Sequence, residues 1–103
     1  MIRESEIEKY LVKQVAKAGG RAYKWVSPGN RGVPDRIIML PGAKLCFAEL
    51  KTRTGTLAAA QRIQKKTICG MGFSFAVIRS KADVNTVLTE LMPKPKDPNR
   101  RDF

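Results

Sequence analysis

The chain has 103 residues, 43% of them apolar and 28% charged, a balance that suits one folded domain with a single modest core. Its 20 Lys and Arg against 9 Asp and Glu leave a net charge of +11, and it contains no histidine, which excludes His-based acid–base catalysis and His-containing zinc sites. A nucleic acid leads as the partner, because each basic side chain near a phosphate releases condensed counterions; generic solubility or an anionic membrane surface are the alternatives.

Residues 4–18 predict a helix. Ile7, Leu11, Val15 and Ala18 form one apolar stripe, Lys9, Lys13 and Lys17 the solvated face, and Gly19-Gly20 the stop. Residues 21–26 (RAYKWV) read as a strand, 27–34 (SPGNRGVP) as a loop, and 35–40 (DRIIML) as a second strand. Pro41-Gly42 signals a turn, so 44–51 is expected to return as an antiparallel hairpin partner. After a loop at 52–55, Thr56 is placed to cap a helix over 57–69 that stops at Gly70. Residues 73–78 (FSFAVI) read as a fourth strand, and Ser80 caps a last helix ending near Met92. The order α-β-β-β-α-β-α gives an α/β fold with a mixed sheet flanked by helices, its crossover through the 57–69 helix being parallel. The domain is expected to span 1–92, followed by a flexible basic tail over 93–103 (PKPKDPNRRDF).

No apolar run is long enough to span a bilayer and no signal peptide is apparent, so a cytoplasmic protein without a membrane partner is expected. Cys46 and Cys69 lack a CxxC arrangement and read as small buried hydrophobes of a reducing compartment.

Chemistry concentrates at the hairpin. Side chains alternate along a strand, so Glu49 and Lys51 share one face, roughly 7 Å apart at the backbone, while Leu50 points away but keeps its carbonyl nearby. Pro34 fixes its own backbone and extends Val33, delivering Asp35 to the start of the partner strand. Asp35 opens one strand and Glu49 closes the other, so the two carboxylates fall at the same end. Two carboxylates and a carbonyl are the hard oxygen ligands that suit Mg²⁺.

On the first helix, Glu8 sits at the edge of the buried stripe, where a carboxylate needs a partner or a metal; Glu4, one turn earlier, is the second choice, and Glu6 reads as a solvent-face ion pair. Gln61 shares an inward stripe with Leu57, Gln64 and Ile68, and an inward amide needs hydrogen-bond partners. Lys24, Arg31, Arg36, Arg53, Lys65 and Lys66 are candidates for phosphate contacts, which set register without reading sequence. Tyr23 and Trp25 suit base stacking, though strand packing is the commoner use for at least one of them.

Glu8, Gly32-Val33-Pro34-Asp35, Glu49-Leu50-Lys51 and Gln61 together resemble the VRR-NUC branch of the PD-(D/E)xK nuclease superfamily, over about residues 4–80. The resemblance implies a restriction-endonuclease-like core. It implies Mg²⁺ or Mn²⁺ held by Asp35, Glu49 and the Leu50 carbonyl, with Glu8 serving a second ion or water. Lys51 would position the attacking water and stabilise the phosphate, and Gln61 would hold Lys51 or the phosphate. Hydrolysis in such nucleases leaves a 5′-phosphate and a 3′-hydroxyl. Stand-alone members resemble Holliday-junction resolvases and act as dimers, so a homodimer acting on branched DNA is expected, in a bacterial or phage-infected host cell. The alternatives are a flap or single-strand nuclease, a non-catalytic nucleic-acid binder on the same fold, or a basic assembly factor.

Overall fold

The computed structural model describes residues 2–92, and the expected tail at 93–103 lies outside the described residues. The elements are α1 (Glu4–Lys17), β1 (Arg21–Lys24), β2 (Arg36–Leu40), β3 (Lys44–Leu50), α2 (Ala59–Gly70), β4 (Ser74–Ile78) and α3 (Lys81–Leu91). The sheet order is β1-β2-β3-β4. β1, β2 and β3 pair antiparallel through two consecutive connections, and β4 joins β3 in parallel after the α2 crossover. The α/β architecture and the mixed sheet are as the sequence predicts.

Alternation divides the sheet into two faces. Ala22, Ile38, Leu40, Cys46, Ala48, Leu50 and Ile78 point to one side and form the main core with Ile7, Leu11 and Val15 of α1 and Val84 of α3. Ile37, Met39, Leu45, Phe47 and Glu49 point to the other. There Trp25 packs on Phe47 at 5.3 Å between ring centroids, and Phe47 meets Phe73 edge-on at 5.8 Å. α2 covers only the β3–β4 part of this second face, so Tyr23 and Met39 remain exposed on it.

α1 buries the anticipated stripe and leaves Lys9, Lys13 and Lys17 in solvent. It ends where Gly19 adopts φ +87°, a conformation glycine takes without steric cost, and the Gly20 N–H reaches back to the Val15 carbonyl at 3.0 Å. α3 starts as predicted, with Ser80 Oγ accepting from the Asp83 N–H at 3.0 Å.

Several details differ from the sequence reading, among them that β3 ends at Leu50 rather than Lys51 and β4 begins at Ser74 rather than Phe73. β1 stops at Lys24 rather than Val26, although the Trp25 N–H still donates to the Asp35 carbonyl at 2.9 Å. β2 begins one residue late, at Arg36. α2 begins at Ala59, not Leu57, and Thr56 does not cap it. The N-cap residue is Ala58, which offers no side-chain acceptor to the first-turn N–H groups; its own N–H is met by Gln61 Oε1, from the third helical residue, at 2.8 Å. Finally, Cys46 is buried but Cys69, at the last turn of α2, is exposed. Burial pushes the Cys46 thiol up to about 11. Among the described residues, no helix is long and apolar enough to cross a membrane.

The α1 contact carries much of the domain's stability. Leu11 is fully buried while its neighbour Val12 is 36% exposed. Leu11→Ala is expected to destabilise the chain by about 2–5 kcal/mol in urea unfolding, and Val12→Ala by no more than about 1 kcal/mol. Similar losses for both would mean that α1 does not dock by this stripe.

Candidate active site

The register of the hairpin builds the site. Arg36 lies opposite Ala48, so the residues just outside that pair, Asp35 and Glu49, also face each other at one end of the sheet. Asp35 is held on both sides. Its carbonyl accepts from Trp25, and its Oδ2 accepts from the Leu50 N–H at 2.8 Å across the hairpin. Pro34, fully buried, fixes the approach.

Glu49 is 3% exposed, a rare state for a carboxylate. Its Oε1 accepts from Gln61 Nε2 at 2.9 Å, and its Oε2 is buried with no partner among the described residues. Burial and the adjacent Asp35 carboxylate raise the Glu49 pKa to about 7, while Lys51 pulls it down and Glu4 adds a small push upward. Lys51 is half-buried, and its N–H donates to the Ile78 carbonyl at 3.0 Å. Two acids, an amide and an ammonium thus meet at one edge, as the alternation argument predicts for Asp35, Glu49 and Lys51.

Gln61 enters from α2 and does two jobs: its oxygen caps the helix and its nitrogen grips Glu49. α2 is itself seated by Gly32. At φ +79°, Gly32 lies so close to the first turn that a Cβ would stand 2.4 Å from the Ala60 carbonyl carbon and 2.6 Å from the Gln61 nitrogen. Gln64 Nε2 adds a bond to the Arg31 carbonyl at 3.2 Å. The loop that presents Asp35 and the helix that presents Gln61 therefore form one packed unit.

The structure does not bring Glu8 to this group. Glu8 pairs with Arg36, whose Nε lies 2.9 Å from Glu8 Oε2 and whose Nη1 donates to the Ala22 carbonyl. Arg36 alternates with Asp35, so this ion pair lies on the α1 side of the sheet, away from Glu49. The α1 acid whose charge reaches Glu49 is Glu4. Arg36 is accordingly committed to an internal pair rather than offered to a phosphate. Of the other basic candidates, Lys24, Arg31, Arg53 and Lys66 are exposed, and Lys65 lies over the Phe75 ring at 5.9 Å. Trp25 is used in packing while Tyr23 is 55% exposed.

Sequence reasoning missed Arg79. It follows β4 and donates from Nη1 to the Thr52 carbonyl at 2.9 Å and to the Gly55 carbonyl, fixing the loop directly after Lys51. Only the parallel β3–β4 pairing puts these segments side by side. The sequence offers no local signal for that contact.

The donor set fits a hard cation. A buried carboxylate oxygen without a partner, next to a second carboxylate and the main-chain carbonyls at the end of β3, is the arrangement that a divalent ion relieves. Among the described residues, no group of three or more His, Cys, Asp or Glu side chains converges on a common point, so the two carboxylates and the main-chain carbonyls are the oxygen donors the chain offers here.

In metal-free solution the raised Glu49 pKa has a defined consequence. The unfolded chain releases this proton near 4.5 and the folded chain holds it to about 7, so the folded state binds more protons between these values. Stability is therefore expected to fall as pH rises through that window. Thermal melts in chelator should show the fall in the wild type and a flatter profile in Glu49→Gln. Equal slopes in the two proteins would contradict the assignment.

No family model matches the chain. The chain is 42% identical over 88 residues to "Putative nuclease p44" of Acyrthosiphon pisum secondary endosymbiont phage 1, covering 85% of this chain and 94% of that protein. A solved structure described as a VRR_NUC domain superposes with a TM-score of 0.78 at 25% identity, covering 84% of this chain and 94% of the other. Its likeness extends the resemblance seen in the hairpin motifs to the whole fold. The chain belongs to the VRR-NUC family of nucleases.

Proposed function

We propose that the chain is a Mg²⁺- or Mn²⁺-dependent endonuclease that hydrolyses DNA phosphodiester bonds selectively at branched structures such as Holliday junctions, and that it works as a homodimer. The observation that carries the reading is the Asp35–Glu49 pair beside Lys51, with Glu49 buried and its Oε2 left without a partner.

In this reading Asp35, Glu49 and the Leu50 carbonyl hold the ion, which when bound supplies Lewis acidity toward the phosphodiester and toward a water. The rest of the work falls to the chain. Gln61 keeps Glu49 turned to the site, and the Leu50 N–H keeps Asp35 there. Lys51 orients the attacking water and meets the negative charge that builds on the phosphate oxygens. Glu49 must be ionised to act, so activity rises as pH climbs through the region of its pKa. Glu4, from the first turn of α1, takes the role toward a second ion or water that the resemblance gave to Glu8.

The +11 net charge supports DNA as the substrate, and the exposed Lys24, Arg31, Arg53 and Lys66 supply backbone contacts that do not read sequence. Support for two copies comes from the open sheet face, where Met39 and Phe73 are 47% and 45% exposed.

The test is cleavage of a panel of junction, flap, nicked and single-stranded DNA with product mapping. Wild-type protein with Mg²⁺ is expected to prefer the junction, to stop when EDTA is added, and to run at twice the chain mass in light scattering. Asp35→Ala, Glu49→Ala and Lys51→Ala are each expected to lose roughly 100-fold or more in rate while binding DNA within a few fold of wild type. Preference for flaps or single strands would replace the substrate assignment. Undiminished cutting by Asp35→Ala would remove the site itself.

A further inference from the structure

A cavity of about 640 Å³ is lined by Ile2, Arg53, Arg79 and Ser80. Of its lining residues, only Arg53 has a part in the proposed function, as one of several backbone contacts. Three of its lining residues lie close along the chain to residues of the site. Arg53 is two residues beyond Lys51, and Arg79 immediately follows Ile78, whose carbonyl binds the Lys51 N–H. Ile2 is two residues before Glu4, the acid whose charge reaches Glu49.

The chemistry of the wall is cationic. Arg53 is exposed, and Arg79 is anchored by two bonds that both leave from Nη1, to Thr52 and Gly55, so its Nε and Nη2 hydrogens remain for a ligand. This anchoring holds the Arg79 guanidinium in place before any ligand arrives, which lowers the entropic cost of using it. Ser80 Oγ already accepts from Asp83, but its own hydroxyl hydrogen is available to donate. Asp83 is the acid in contact with Arg79 and Ser80. Its carboxylate is taken by the Arg79 N–H at 2.8 Å and offsets the positive end of α3, so an anion here relies on the guanidinium groups rather than on the helix terminus. Ile2 supplies an apolar wall of the kind a sugar ring packs against.

We propose that this cavity seats a phosphate of the DNA strand that neighbours the scissile one, held by Arg53 and Arg79. The ligand is a phosphodiester with its sugar, and its role is to fix the register of the strand across Asp35 and Glu49. The identity of the ligand rests on the nuclease reading above, but the site can be tested without cutting.

The experiment uses the full chain and four-way junctions, whose branch point fixes the register. Each junction carries one neutral methylphosphonate linkage at a successive position. Binding is read by fluorescence anisotropy in metal-free buffer for wild type, Arg53→Ala and Arg79→Lys. Wild type is expected to lose about tenfold in affinity at one or two adjacent positions. Arg53→Ala should bind the all-phosphate junction more weakly and show no further loss at those positions, and Arg79→Lys should show a reduced loss there. A flat profile for wild type, or the same position-dependent profile in Arg53→Ala, overturns the proposal. A parallel reaction with Mg²⁺ on the unmodified junction separates the two readings. A position-dependent profile without cleavage keeps the phosphate site and sinks the nuclease mechanism, whereas cleavage with a flat profile does the reverse.

Discussion

The antiparallel register between β2 and β3 is the constraint on which the site depends. A slip of one residue would turn Glu49 toward α1 and Leu50 toward α2, because side chains alternate with a period of two. Two features pin the register. Ile38, Cys46, Ala48 and Leu50 must all face α1 to stay buried, and the Leu50 N–H is bound by Asp35 Oδ2. The second feature joins the scaffold to the chemistry: the carboxylate that belongs to the site also completes the hydrogen bonding of the strand that carries Glu49. Gly32 and Pro34 then lock the loop before Asp35 against the turn of α2 that carries Gln61.

The two faces of the sheet treat acids in opposite ways. On the α1 face, Glu8 is partly buried but meets Arg36, so its charge is compensated in the ordinary manner. On the α2 face, Glu49 is more deeply buried and meets another carboxylate, with one oxygen unpartnered. A fold selected for stability alone would not keep that arrangement, since removing a charge from water beside a like charge is costly. Conflicts of this kind, set in an otherwise consistent domain, mark functional sites. Lys51 and the Gln61 amide moderate the conflict without removing it.

Much of this was legible from the chain alone. The 3.6-residue stripe of Ile7, Leu11 and Val15, the Pro41-Gly42 turn and the Ser80 cap each report a local rule, and each is obeyed. The convergence of Asp35, Glu49 and Lys51 follows from strand alternation and one turn. What was not legible depended on pairings between distant segments. Glu4 and Glu8 are one helical turn apart and look equivalent until Arg36 claims Glu8. Thr56 is a sound cap by composition, but Gln61 serves the helix start from within, a choice set by the docking of α2 on Gly32. Cys69 reads as a buried hydrophobe, yet it lies on the α2 surface that the sheet does not reach. Arg79 becomes visible only once β4 is laid beside β3.

The account stands on Asp35 and Glu49 acting together as a seat for one divalent ion. Titration of the metal-free chain with Mn²⁺, followed by electron paramagnetic resonance of the unbound ion, measures this directly and needs no substrate. The account predicts one site per chain in the wild type, its loss in Glu49→Gln and Asp35→Asn, and its retention in Glu8→Gln. Equal Mn²⁺ uptake by all four proteins would contradict it.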